Sequence, residues 1–250
     1  MVKILLCGSE GKMGKAVKTA ASNTEGIEIA AKVDAVLETS CENGEFSNFD
    51  DVKGKFDCII DFSHPSVTDS MLKYALATKT PVVLCTTGLS QEQNEAVKKA
   101  GEEIPVFFSA NMSLGVNLLV ALSEKATEIL GGGFDIEIVE KHHNQKVDAP
   151  SGTALMLANA INETSGGAYH YVYDRQSVRQ KRDSKEIGIH AVRGGNIVGE
   201  HEVIFAGHDE CITLKHTATS KEVFAVGAVN AAKFISGKTA GMYSMKDMLK

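Results

Sequence analysis

The chain has 250 residues, 43% of them hydrophobic and 23% charged, with a formal net charge of −6. That length supports a full core without staples, and the balance of residue types excludes collagen-like, disordered and disulfide-scaffold classes. The negative charge disfavours nucleic acid and anionic membranes as partners, because a phosphate backbone calls for a broad basic face.

The longest apolar runs, such as Ile4 to Cys7 and Val82 to Cys85, are strand-sized. They fall far below the ~18 residues of a membrane span, so no membrane association is expected. Met1 leads through Val2 and Lys3 into a short apolar strand and a glycine turn, without the small-residue cleavage site of a signal peptide, and a cytoplasmic address is expected. The cysteines Cys7, Cys41, Cys58, Cys85 and Cys211 are scattered, odd in number and never spaced C-x-x-C. That argues against a zinc ribbon and a disulfide framework, and they read as small hydrophobes.

In chain order, Val2 to Cys7 reads as a buried strand, and Met13, Ala16, Val17, Ala20 and Ala21 then mark one face of a helix. Ile27 to Val33 is a second strand ending at Asp34, which gives the β-α-β order of a parallel pair. A strand at Cys58 to Phe62, a helix from near Ser66 and a strand at Val82 to Cys85 follow. Next come a helix from Ser90, with Ser90 and Gln93 as a capping box, and a strand at Val106 to Ser109. Such alternation builds a doubly wound sheet whose ligands lie beyond the carboxyl ends of its strands, so the loops at Gly8, Asp34, Phe62, Thr86 and Ala110 should share one rim.

The alternation changes between residues 110 and 135, where a domain boundary is expected. Leu114 to Ile129 reads as an amphipathic helix ended by Gly131-Gly132-Gly133. Asp135 to Lys141 is a strand entering a polar loop, and a helix starts at Gly152. Ile187 to Val192, Ile197 to Phe205 and Glu210 to Ala218 read as consecutive strands joined by hairpin-type turns at Gly194-Gly195 and Gly207-His208. Val223 to Phe234 and Met245 to Leu249 read as helices that return to the first domain. The expected fold is α/β: a Rossmann dinucleotide-binding domain of residues 1–112 and 221–250, and a smaller α+β domain with a mixed sheet over 113–220.

Gly8-Ser9-Glu10-Gly11-Lys12-Met13-Gly14 follows a strand and opens a helix. Its spacing is G-x-x-G-x-x-G, but the mechanism of a dinucleotide turn is kept: small residues let the chain turn tightly, and the helix start offers N–H groups to a pyrophosphate. Lys12 adds charge there. Asp34, at the end of the second strand, is placed to accept hydrogen bonds from an adenosine ribose. Taken alone, a glycine-rich turn is often a plain connector; strand, helix and acid together favour a cofactor. The Asp34 carboxylate would repel the 2′-phosphate of NADP, and Ala35 stands where an arginine could clamp it, so NADH is favoured over NADPH. Lys32 lies nearby and leaves dual use open. Cys85-Thr86-Thr87-Gly88 ends a strand on the same rim and in isolation is a polar turn.

The segment Glu140 to Thr153 holds the densest chemistry, with Lys141, His142, His143 and Lys146 close together in an acidic protein. A solvated charge run is the plain alternative, but it leaves unexplained the Ser151-Gly152-Thr153 step into a helix, whose free N–H groups suit a carboxylate. A metal on His142 and His143 is disfavoured because adjacent side chains of an extended segment point apart and no third ligand has a familiar spacing. A Ser151 nucleophile is disfavoured because no G-x-S-x-G elbow is present. Acid–base work and anion capture remain, with histidine and a partly desolvated lysine as the proton-handling groups.

From Val2 to Leu249 the sequence resembles the 4-hydroxy-tetrahydrodipicolinate reductase (dihydrodipicolinate reductase) family. The resemblance is carried by Glu137 to His143 continuing through Lys146 to Ala154, by the glycine turn with Met13, by Asp61-Phe62-Ser63 and Thr86-Thr87-Gly88, and by Asn111 to Asn117 and Val198 to His201. It implies His142 as the acid–base residue and Lys146 as the proton donor, with His143, Lys146, Ser151, Gly152 and Thr153 holding the carboxylates of a small cyclic dicarboxylate. It assigns NADH or NADPH to Gly8, Ser9, Glu10, Gly11, Lys12, Met13, Asp34, Cys85, Thr86, Thr87, Ser109, Ala110, Asn111 and Met112. It further implies a metal-free reduction in the diaminopimelate route to lysine, a homotetramer joined through the second domain's sheet, and closure of one domain over the other. Asn144 and Gln145, where some members are basic, and Cys85, where glycine is frequent, depart from the pattern. Two other readings stay open: a nicotinamide-sensing protein without catalysis, and a different small-acid dehydrogenase on the same scaffold.

Overall fold

The computed structural model describes residues 1–249. In chain order its elements are β1 (Val2–Cys7), α1 (Lys12–Ser22), β2 (Ile27–Val33), β3 (Glu45–Phe46), β4 (Cys58–Asp61), α2 (Pro65–Thr78), β5 (Val82–Leu84), α3 (Gln91–Gly101) and β6 (Pro105–Phe108). Then follow α4 (Leu114–Leu130), a 3₁₀ turn at Gly131–Gly133, β7 (Asp135–His142), α5 (Gly152–Thr164), β8 (His170–Val172), β9 (Glu186–Arg193), β10 (Gly199–Ala206), β11 (Cys211–Ala218), α6 (Glu222–Ile235), β12 (Gly241–Tyr243) and α7 (Met245–Met248). The chain forms two compact units: Met1–Leu114 together with the segment from Glu222 onward, and Gly115–Lys221. No helix among the described residues is long and apolar enough to cross a membrane.

The first unit is a seven-stranded parallel sheet in the order β12-β6-β5-β4-β1-β2-β3. Its central strands are continuously apolar because both faces are covered, as parallel sheets require. Successive residues of β1 go to opposite layers: Ile4 and Leu6 pack with Val17, Ala20 and Ala21 of α1 and with Ala225, Ala228 and Val229 of α6. Leu5 and Cys7 pack with Met71, Leu72 and Ala75 of α2 and with Val97 and Ala100 of α3. The capping box read at Ser90 and Gln93 opens α3. The two edge strands, β3 and β12, went unread in the sequence; two or three residues are too few to show a period.

The second unit is a five-stranded mixed sheet in the order β11-β10-β7-β9-β8. Gly207-His208 makes the expected hairpin between β10 and β11. Gly194-Gly195 does not join neighbours: β7 lies between β9 and β10, parallel to the first and antiparallel to the second. Glycines announce a reversal of direction, but they carry no information about a strand already seated beside the one just finished. One face of this sheet is covered by α5, with Ile136, Ile138, Ile187, Ile189, Val203 and Phe205 against Ala154, Leu157, Ala158 and Ile161.

The cysteines divide. Cys7 and Cys58 are core residues and Cys85 is half-buried, whereas Cys41 and Cys211 are exposed and are not the small hydrophobes expected.

Helix α6 approaches the rest of its unit closely because it is built of small residues. A Cβ added at Gly227 would stand 1.7 Å from the Met112 carbonyl oxygen, a backbone atom that cannot swing away. Gly227→Ala should therefore destabilise the protein by about 1–3 kcal/mol, the cost of overpacking a close contact. A thermal melt shows this as a drop of several degrees, and an unchanged melting temperature would contradict the packing described.

Candidate functional site

The carboxyl edge of the parallel sheet carries the glycine turn. Gly8 takes φ 74°, and a Cβ there would meet the Phe62 carbonyl oxygen at 2.6 Å; a Cβ at Gly14 would meet the Gly8 carbonyl oxygen at 2.2 Å. Both positions therefore demand glycine, one for its conformation and closeness, the other for closeness alone. Gly11 stands at the cap position of α1 and supplies no side-chain cap, so the positive end of that helix is left to other partners. Asp34 accepts from the Glu10 N–H at 2.9 Å and from the Val36 N–H at 3.2 Å, tying the turn to the end of β2. Glu10 pairs with Lys18 at 2.9 Å, and that ammonium holds its carboxyl below the usual range. Lys32, read as a possible counter-charge beside Asp34, is paired with Glu45 at 2.6 Å across the β2–β3 ladder.

Two clefts open along this edge. One, of about 400 Å³, is lined by Met13, Phe62, Ser63, Cys85, Thr86, Thr87, Phe224 and the run Ser109, Ala110, Asn111 and Met112. The other, of about 330 Å³, is lined among others by Gly8, Gly11, Asp34, Ala35, Phe49, His64 and Ser66. They share Phe62 and Ser63, which follow β4. The strand order reverses between β1 and β4, the switch point at which ligands settle on such sheets. Ser9, Glu10 and Lys12 belong to the same turn but line neither cleft.

Asp61, fully buried at the end of β4, accepts from the Ser63 N–H at 3.0 Å and from the Thr86 hydroxyl at 2.8 Å. Burial pushes its carboxyl up, while the bonds from Ser63 and Thr86 pull it down. Sequence reasoning missed Phe49, His64 and Phe224. A proline at the first position of α2 marks His64 as a cap, and its Nδ1 accepts from the Ser66 N–H at 3.2 Å. Phe49 and Phe224 carried no local signal.

In the second unit the chemistry gathers at the end of β7. Its α5-facing side runs Ile136, Ile138, Glu140, His142, apolar and then polar. Glu140 has no exposed surface. Its carboxylate accepts from Arg193 Nη1 and Nη2 at 2.7 Å each, from the Ser151 N–H at 3.0 Å, and lies 2.6 Å from His142 Nδ1. Burial raises its pKa, but Arg193, His142 and the Ser151 N–H outweigh burial and hold it below the usual range. An ionised carboxylate can only accept, so Nδ1 of His142 carries the proton and Nε2 is the free ring atom. Nε2 lies beside Gly199, where an added Cβ would stand 3.2 Å away.

Arg193 also donates to the Asp148 carbonyl at 2.7 Å, and the Asp148 carboxylate pairs with Lys146 Nζ at 2.8 Å, which holds that acid down. The loop after β7 is tied to Gly194 and Gly195 through the His142 carbonyl and the Asn144 N–H. His143 is half-buried, and its carbonyl accepts from the Lys146 N–H at 3.2 Å. Ser151 caps α5 by accepting from the Ala154 N–H at 3.2 Å, and Gly152 and Thr153 form the first turn of that helix. The structure thus joins His142, Lys146 and Ser151 in one network, with His143, Gly152 and Thr153 adjoining it along the chain.

Sequence reasoning gave no role to Glu140, Arg193 or His201. His201, opposite Glu140 on β10, bonds Ser151 Oγ through Nε2 at 2.9 Å and meets the His142 ring edge-on at 5.1 Å. Among the described residues no group of three His, Cys, Asp or Glu is arranged to hold a metal ion.

Two family models match the chain: dihydrodipicolinate reductase, N-terminus, over residues 2–112, and dihydrodipicolinate reductase, C-terminus, over residues 115–249. The 4-hydroxy-tetrahydrodipicolinate reductase of Caldanaerobacter subterraneus subsp. tengcongensis is 49% identical over 250 residues, covering 100% of this chain and 99% of its own. That of Clostridium novyi is 47% identical, with the same coverage. Among solved structures, dipicolinate-bound dihydrodipicolinate reductase from Paenisporosarcina sp. TG-14 has the same fold, with a TM-score of 0.82, 24% identity and full coverage of both chains. A probable dehydrogenase from Thermotoga maritima shares the fold at a TM-score of 0.62 and 10% identity, over 98% of this chain and 92% of its own. The α/β architecture, with a Rossmann-type parallel sheet and a second, mixed sheet, is therefore the one expected.

Burial, and next to it the neighbouring His142, lowers the pKa of His201 from an ordinary 6.5 to about 4. The folded state thus binds fewer protons than the unfolded chain between those two values. The stability this confers is complete above the unfolded pKa and is lost as pH falls through the window toward 4, a change on the order of 3 kcal/mol. His201→Gln, which cannot take up that proton, should lose less melting temperature between pH 7 and pH 4.5 than the parent; parallel curves for the two would rule out His201 as the source.

Proposed function

The chain belongs to the dihydrodipicolinate reductase family, and on that premise we propose that it reduces 4-hydroxy-2,3,4,5-tetrahydrodipicolinate to tetrahydrodipicolinate in the diaminopimelate route to lysine. The observation that carries the reading is the network at the end of β7. There an oriented imidazole on the last residue of β7 and a half-buried lysine on the loop that follows stand beside the start of α5 in the chain.

A bound nicotinamide dinucleotide supplies the hydride. The first unit's residues then have the task of holding it. Asp34 and the cleft that includes Phe49 and His64 suit the adenosine half, the start of α1 suits the pyrophosphate, and the cleft with Thr86, Thr87 and Ser109 to Met112 suits the nicotinamide half. NADH is the preferred form: Asp34 would repel a 2′-phosphate, Ala35 has no charge to clamp it, and Lys32 is engaged by Glu45.

In the second unit, His143, Lys146 and the N–H groups of Gly152 and Thr153, with Ser151 capping the turn, hold the substrate carboxylates. The dipicolinate bound to the Paenisporosarcina relative supports a dicarboxylate site. Loss of the 4-hydroxyl as water leaves a conjugated ring; reduction then places a hydride on one ring carbon and a proton on its neighbour, and His142 and Lys146 handle that proton, which general acid catalysis makes worth roughly 10²- to 10⁴-fold in rate. Asp148 holds the Lys146 side chain in place until a substrate carboxylate competes for it. The same reading includes a homotetramer built on the second unit's sheet and a cytoplasmic address.

Steady-state assays with freshly generated substrate test the assignment. His142→Gln and Lys146→Met should each lower kcat by about 10²-fold or more while the Kd for NADH, read by fluorescence titration, stays unchanged. Normal turnover in both variants would reduce the loop to a binding feature. With the parent enzyme, kcat/KM should be higher with NADH than with NADPH, and the reverse order would remove Asp34 from its assigned role.

A further inference from the structure

We propose that Arg193 and Glu140 form one positioning unit for both proton-handling groups, so that the tautomer of His142 and the placement of Lys146 depend on a single ion pair. The proposal rests on the acid–base roles just assigned to His142 and Lys146.

The geometry is specific to a guanidinium. Arg193 Nη1 donates to Glu140 Oε2 and to its neighbour's carbonyl at Val192; Nη2 donates to Glu140 Oε1 and to the Asp148 carbonyl. One planar fork therefore reaches the strand that carries His142 and the loop that carries Lys146. Glu140 has all its acceptor directions engaged: two by the fork, one by His142 Nδ1 and one by the Ser151 N–H. A lysine at position 193 would keep the charge and lose the two-pronged reach. Arg193 Nε is buried without a partner, a cost that an ion pair serving stability alone would have no reason to carry.

The pair also sets the electrostatic balance at the imidazole. The groups facing His142 are Glu140 on its own strand, Arg193 on β9, His201 on β10 with His216 beyond it on β11, and Lys146 with Asp148 on the loop. Burial lowers the pKa of His216 and helps to lower that of His201. Replacing Glu140 by an amide removes the pure acceptor that holds the proton on Nδ1 of His142. Replacing Arg193 removes the fork that fixes both the Glu140 carboxylate and the Asp148 carbonyl.

The experiment compares the parent with Glu140→Gln, Arg193→Gln and Arg193→Lys, using three readouts: kcat and KM, the His142 ring tautomer by ¹⁵N NMR without substrate, and NADH affinity. The expected result is a loss of kcat of roughly 10- to 100-fold in all three variants at unchanged NADH Kd. The neutral ring should carry its proton on Nδ1 in the parent and give a mixture of tautomers in Glu140→Gln, whose amide donates as readily as it accepts. An unchanged tautomer in Glu140→Gln, or parent-like kcat in folded Glu140→Gln or Arg193→Lys, would overturn the proposal. Because Glu140→Gln is nearly isosteric, it decides the matter even where Arg193→Gln fails to fold. If the parent itself does not reduce the substrate, the functional reading fails, while the NMR tautomer still judges the ion pair.

Discussion

A carboxylate taken out of water costs several kcal/mol unless its lone pairs are met, and Glu140 at the polar end of β7 is fully buried. Meeting that demand organises the second unit. Arg193 can reach both oxygens because β9 lies parallel beside β7 with Arg193 in register with His142. His201 stands across from Glu140 because β10 lies on the other side of β7. Had β9 and β10 paired as a simple hairpin, one of them would have lost its place beside β7, and with it Arg193 or His201. The short crossing from β9 to β10 past the end of β7 is thus the path that surrounds the acid with its partners, and the glycines on that path hold the loop after β7 by its backbone.

The first unit answers a different constraint. Strands buried on both faces leave polar groups only at their ends, and in a parallel sheet those ends fall on a common edge. Asp61 shows what the edge requires. Its buried carboxylate joins the turn after β4 to the threonine after β5, so the floor beneath the two clefts is cross-linked by hydrogen bonds rather than by packing alone. The glycine turn is held in the same manner from the other side, by Asp34 on the Glu10 N–H.

Much of this was legible in the residues. Long apolar-periodic segments, the glycine turn and the Ser90 capping box are local signals, and each reports a local structure. The polar segment from Glu140 to Thr153 stood out through residue type alone. Glu140 stood in plain view in that segment, yet only its burial reveals that it cannot be a solvent-facing acid. Arg193 and His201 were illegible for a different reason: their meaning lies in cross-strand register, and register between distant strands leaves no mark on either one. The short edge strands β3 and β12 fell below the length at which a period exists. The exposure of Cys41 and Cys211 likewise depends on where their loops and strands end up, which residue type does not decide.

The discontinuity of the first unit has a consequence during synthesis. Helix α6 contributes Ala225, Ala228, Val229, Ala231, Ala232 and Ile235 to the core around β1, all with no exposed surface, yet it is encoded after every residue of the second unit. A ribosome therefore releases the whole of the later-numbered sheet before the earlier-numbered one has its last helix. The inserted unit is a continuous stretch, while the first unit waits with an apolar flank of β1 uncovered. In the order of translation, the inserted unit is complete first, and the unit that opens the chain is the last to close.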